Sequence, residues 1–84
     1  MKYQAGSYES SDCIMIVSES NQLVIEIESI VLLQFGGQIK NVITDTLKSH
    51  NVSNIKVECK DKGALDYTIK ARLETALQRG GFYE

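Results

Sequence analysis

Apolar positions along the chain fall into blocks of two different periods. Cys13 to Val17 is continuously apolar, the pattern of a strand buried on both faces. Ser18-Glu19-Ser20-Asn21 is turn chemistry. Gln22 to Glu28 then alternates, with Leu23, Ile25 and Ile27 on one side and Val24, Glu26 and Glu28 on the other, as in a half-buried strand. Two such runs across a short polar turn predict a hairpin. From Ser29 the period lengthens. Phe35, Ile39, Val42, Ile43, Thr46 and Leu47 recur at spacings of three and four, which predicts one buried helix face with Ser29 as its N-cap. Gly36-Gly37 is the weak point of that helix, each glycine costing about 1 kcal/mol against alanine. His50-Asn51 closes it.

Ser53 to Lys60 alternates again, with Ile55, Val57 and Cys59 inward. Asp61-Lys62-Gly63 forms a tight junction. A second helix is predicted from about Ala64, with Gly63 as N-cap, Asp66 in the first turn where a carboxylate complements the dipole, and a buried stripe of Leu65, Ile69, Leu73, Ala76 and Leu77. Gly80-Gly81 stops it, leaving Phe82-Tyr83-Glu84 as a loosely held tail. The expected fold is α+β, with element order ββαβα. It consists of a three-stranded sheet in order 2-1-3, the Cys13–Val17 strand in the centre and antiparallel to both neighbours, and two helices packed on one face. Residues 1–84 form one domain in this reading, and polar residues 1–12 a flexible arm. Ile14, Ile16 and Val24 would then stand on the open face, either as a partner surface or covered by that arm.

Composition narrows the chemistry. In 84 residues with 43% hydrophobic and 24% charged, little core is available to wall a deep enzyme cleft. The formal net charge of −2 gives no basic stripe for a nucleic acid. The longest apolar runs, Cys13 to Val17 and Ile30 to Leu33, are far too short to span a membrane. Cys13 and Cys59 are too few for a disulfide scaffold and read as buried thiols of a cytoplasmic protein. The one histidine, His50, lies at a helix end without a nucleophile or ligand set near it in sequence. The carboxylate pairs Glu26/Glu28 and Glu9/Asp12 read as solvated faces or turns. No enzymatic constellation emerges. Ser7, Ser10 and Ser11 lie in a polar stretch of the kind a modifying enzyme can enter, although turn formation alone explains such serines.

Three segments together resemble the acyl carrier subunit, the gamma chain, of citrate lyase. They are Gly6-Ser7-Tyr8-Glu9-Ser10-Ser11-Asp12, similar to that family's glycine-hydroxyl-x-Glu-Ser loop; Gln34-Phe35-Gly36; and Asp61-Lys62-Gly63-Ala64-Leu65-Asp66 leading into Ile69-Lys70-Ala71-Arg72-Leu73. The last run is the most specific. The resemblance implies a non-catalytic subunit whose Ser10, with Ser11 as runner-up, covalently bears a prosthetic group of the 2'-(5''-triphosphoribosyl)-3'-dephospho-CoA type. That arm would carry acetyl and citryl thioesters between the alpha (transferase) and beta (lyase) subunits while citrate is cleaved to acetate and oxaloacetate. A dedicated transferase would attach the arm. No nucleic acid and no membrane are expected partners. Tyr67 stands where the family commonly has cysteine, Gly36-Gly37 doubles a usually single glycine, and the chain ends sooner after Arg79 than is usual. The carrier of malonate decarboxylase, with a malonyl cargo, is the related alternative. A small α+β interaction module without a covalent group is the unrelated one.

Overall fold

A computed structural model describes residues 1–83. It contains four strands and two helices: β1 (Lys2–Gly6), β2 (Cys13–Glu19), β3 (Val24–Ser29), α1 (Leu32–Ser49), β4 (Ile55–Asp61) and α2 (Asp66–Arg79). The α+β class and the two helices agree with the sequence reading. The three-stranded sheet does not, because Lys2–Gly6 supplies a fourth strand antiparallel to β2, with Ala5 opposite Met15. This strand is short and mostly polar. Only Ala5 is buried and Tyr3 half-buried, so its periodicity is too brief to register as a strand.

The order is also different: β1-β2-β4-β3. β4 pairs parallel with β3, Ile25 opposite Val57, and antiparallel with β2, Met15 opposite Cys59. The expected hairpin between the Cys13 and Val24 strands is therefore absent, since β4 lies between them. The physical reason is the β3-α1-β4 crossover. It returns the chain as a parallel strand directly beside the one it left, and Ser20–Leu23 bridges across the strand it inserts. The doubly apolar β2 does occupy an interior position, but between β1 and β4.

Cys13, Met15, Val17, Ile55, Val57 and Cys59 point to one face and are buried beneath the helices. Ile39, Ile43, Thr46 and Leu47 of α1 meet them, as do Ile69, Leu73, Ala76 and Leu77 of α2. Thr46 enters this core because its hydroxyl donates to the Val42 carbonyl at 2.7 Å. The opposite face carries Ile14 and Ile16, half-buried. β1 lies beside them in the sheet and does not cover them. Long side chains flank the pair, and Lys2 reaches Glu58 at 3.3 Å. Cys13 and Cys59 are both buried and unbridged. The Cys13 thiol beside Cys59, and then burial, hold Cys59 far above the ordinary thiol range.

Both helix starts differ from expectation. Ser29 is not the N-cap of α1; that position is Val31. The Ser29 hydroxyl accepts from the Val31 N–H at 3.1 Å and donates to Asp61 at 2.7 Å, joining the end of β3 to the end of β4. α2 starts at Asp66, with Leu65 as N-cap, so Leu65 leaves the predicted buried stripe and is 60% exposed. Phe82 and Tyr83, expected in a loosely held tail, are held, and Glu84 lies outside the described residues. The Phe82 N–H donates to the Leu77 carbonyl at 3.0 Å, and the Phe82 ring meets Tyr3 edge-on at 6.4 Å. Tyr83 stacks on His50 at 3.8 Å.

Candidate functional site

The three sequence segments that carried the resemblance meet at one end of the molecule. The loop from Ser7 to Asp12 leaves β1 at Gly6, whose φ of +101° is in the left-handed region. A side chain there would collide with the Cys13 carbonyl oxygen, so the turn requires the glycine. The loop is fastened at both ends. The Ser7 N–H donates to the Cys13 carbonyl at 3.2 Å, the Ser11 N–H to the Lys62 carbonyl at 2.8 Å, and the Lys62 N–H to the Asp12 carbonyl at 2.9 Å. The N-terminal run thus lies against the β4–α2 junction, which is remote from it in sequence. Lys62 also places its ammonium 5.1 Å from the centre of the Tyr8 ring, a cation–π contact.

Asp12 is the anchor. Arg72 donates to both of its carboxylate oxygens, Nε to Oδ1 at 3.0 Å and Nη2 to Oδ2 at 2.9 Å. The Ser7 hydroxyl donates to Oδ2 at 2.6 Å and the Cys13 N–H to Oδ1 at 2.7 Å. A two-pronged guanidinium contact fixes orientation as well as charge. The Arg72 guanidinium, and then the Ser7 hydroxyl, hold the Asp12 carboxyl well below the usual carboxylate range. Its folded value lies below its unfolded value, so the clamp contributes fully above the unfolded value, about 3.9. The contribution is lost progressively as pH falls below that. Denaturant midpoints should therefore drop between pH 5 and pH 2.5, and Arg72→Met should flatten that drop. An unchanged slope in the variant would remove Asp12 from the acid transition.

Within this fastened loop, Ser10 is exposed, and among the described residues it enters no hydrogen bond. Ser11 is exposed too, but its backbone is committed to Lys62 and held at φ 64°. Ser7 spends its hydroxyl on Asp12. Of the three serines, Ser10 alone has both hydroxyl and backbone unengaged, on a loop whose ends are fixed.

The other two segments form a cleft beside this loop. Phe35, Gln38 and Ile39 of α1 face Gly63, Ala64 and Leu65 and the first turn of α2 across a volume of about 490 Å³. Asp61 shapes the junction. It is buried, and its carboxylate accepts from the Ser29 hydroxyl and from the N–H groups of Gly63 at 3.1 Å and Ala64 at 2.9 Å. Both carboxylate oxygens of Asp66 accept from the Gln38 amide nitrogen, Oδ1 at 3.0 Å and Oδ2 at 2.9 Å. The sequence offered no local signal for the Asp12–Arg72 clamp or the cleft, since both join residues remote along the chain. His50 lies at the opposite end of α1, bonded to Glu74 at 2.7 Å.

Comparison with known proteins agrees with this arrangement. Residues 1–80 match a family model described as the malonate decarboxylase delta subunit. Citrate lyase acyl carrier proteins are similar over most of the chain. The one from Lactiplantibacillus plantarum is 55% identical over 89% of this chain and 79% of its own. The one from Treponema denticola is 46% identical over 88% of this chain and 85% of its own. Among solved structures, a chain of a Pseudomonas malonate decarboxylase hetero-tetramer in complex with malonate superposes with a TM-score of 0.81, 17% identity, and coverage of 95% of this chain and 84% of that one. The Staphylococcus aureus RNase P protein gives 0.59 at 14% identity, covering 96% and 84%. These last two share the fold, and the fold alone hosts unrelated functions. No described helix is long and apolar enough to cross a membrane. The sequence identities, and the convergence of all three segments on one end of the fold, decide the matter: the chain belongs to the citrate lyase acyl carrier protein family.

Proposed function

We propose that this chain is the carrier subunit of a citrate lyase. In this reading Ser10 bears the dephospho-CoA-derived arm in phosphodiester linkage, and the arm presents acetyl and citryl thioesters to an alpha (transferase) and a beta (lyase) subunit in the cytoplasm. The observation that carries the reading is an unengaged, exposed serine on a loop fastened by the Asp12–Arg72 pair. The site fits such a group: the Ser10 hydroxyl needs to break no internal bond to become an ester, and the loop tip projects from a body that can stay folded. When bound, the arm supplies the thiol. The chain supplies a fixed point of attachment, which keeps the acyl group at high effective concentration near two successive active sites.

The test is reconstitution. The chain is co-expressed with the enzymes that make and attach the arm, its mass gain is measured, and it is mixed with candidate alpha and beta subunits. Citrate-dependent oxaloacetate formation is expected only with the modified chain. A modified chain that supports malonate decarboxylation and no citrate cleavage would transfer the assignment to the related carrier. That alternative is favoured by the family model's description and opposed by 46–55% identities to citrate lyase carriers.

A further inference from the structure

We propose that the cleft between the start of α1 and the β4–α2 junction shelters the acetylated end of the arm on Ser10 and excludes the citryl-loaded end. This rests on the reading of Ser10 given above. The cleft volume of about 490 Å³ lies in the range of small-molecule sites. Its walls include Phe35, Ile39, Ala64, Leu65 and Ile69. Phe35 is 49% and Leu65 60% exposed, so large apolar surfaces stand open at its rim. Clusters of that kind on a small domain mark binding surfaces more often than chance.

The tether points to the occupant. Ser11, next to Ser10, is bonded through its N–H to the carbonyl of Lys62. Lys62 lies between Asp61 and Gly63, and both of those line the cleft. The attachment loop is therefore hydrogen-bonded to the segment that forms one wall of the cleft. A flexible arm fixed there meets the cleft at high effective concentration, and weak contacts suffice to hold it.

Charge selects the cargo. Asp61 and Asp66 line the cleft, and no lysine, arginine or histidine does. An acetyl thioester is small and uncharged, and suits apolar walls. A citryl thioester carries carboxylates, and placing them beside two aspartates with no cation is unfavourable on both desolvation and repulsion. The resting acetyl form would thus lie against the carrier, and exchange of its acetyl group for citryl, with acetate leaving, would release the arm.

Nuclear magnetic resonance on the chain loaded with a ¹³C-acetyl arm tests this, with mass mapping to verify the arm on Ser10. The acetyl methyl should show through-space contacts to methyl groups of Ile39, Ala64 and Ile69. Amide signals of Gly63 to Tyr67 should shift relative to the free-thiol form, and the citryl form should return them to their thiol-form positions. Ala64→Phe, which narrows the cleft, should abolish the contacts. A correctly loaded chain with no such contacts, or one in which acetyl and citryl forms shift the same amides equally, overturns the cleft assignment and leaves Ser10 standing. Perturbation confined to the rim side chains of Phe35 and Leu65, and only on adding the transferase subunit, would make the rim a protein-docking surface and likewise overturn it. A chain that takes no arm on Ser10 removes the proposal together with its premise, and the mass spectrum says which has failed.

Discussion

Asp61→Ala should lower stability by about 3 kcal/mol, because it leaves two backbone N–H groups and a hydroxyl without their acceptor at a buried position, each worth about 1 kcal/mol or more. The donors are Gly63, Ala64 and Ser29, and the Asp61 residue is 1% exposed. For a domain of this size that corresponds to a fall in melting temperature of roughly 15 °C. Asp61→Asn should cost less, since one acceptor oxygen survives while the amide nitrogen meets a donor. The loss should also be local before it is global. Gly63 and Ala64 amides should exchange hydrogen faster, and so should Ser11, whose partner Lys62 is on the same junction. A variant within about 1 kcal/mol of the parent would show that solvent can replace the carboxylate there, and the junction would cease to be the keystone of the site end.

The same residue shows what the sequence could and could not reveal. Asp61 reads locally as turn punctuation before Gly63 and, in the resemblance, as the first residue of its most specific run. Its bond to Ser29 spans 32 positions, and no local pattern encodes it. Segments with long, regular alternation form the kind of element their period predicts. Ile55, Val57 and Cys59 are buried as their period demands, and α1 buries Ile39, Ile43, Thr46 and Leu47 of the expected stripe, whereas Phe35 at its start is 49% exposed. β1 was missed because a five-residue polar edge strand owes its existence to pairing with β2, a tertiary effect that propensity does not contain. The sheet order was missed for a related reason. Adjacent runs that look like a hairpin can be split by a later strand, and only the crossover through α1 determines which.

The site was divided in the same way. Ser10, Asp12 and Arg72 each lie in a segment that resembles the family, yet nothing in composition or spacing joins them. Folding does so: Arg72 reaches Asp12 across 60 positions. The N-terminal run, expected as a flexible arm over residues 1–12, is half strand and half fastened loop, with the attachment candidate left at the tip. This division suits a carrier. An attaching enzyme needs an accessible hydroxyl, whereas transfer between partner sites gains from a base that does not wander.

Ser10→Ala should abolish covalent modification outright, leaving intact mass unchanged after co-expression with the attaching enzymes. Ser11→Gly should retain the full mass gain. Glycine is the informative control at position 11, because Ser11 sits at φ 64°, where a β-carbon costs roughly 1 kcal/mol and alanine would keep that strain while glycine relieves it. Both substitutions are at exposed positions and neither opens a cavity or strands a buried polar group, so thermal melts should confirm two folded proteins. The asymmetry follows from the loop. Serine esterification needs the oxygen to approach a phosphorus centre in line with its leaving group, and Ser10 has no internal bond to break in doing so, whereas Ser11 is tied through its N–H to Lys62. A mass gain that persists in Ser10→Ala and disappears in Ser11→Gly would move the attachment to the neighbouring serine. The fastening of the loop by Asp12 and Arg72 would then serve to present a residue whose backbone is itself one of the fastenings.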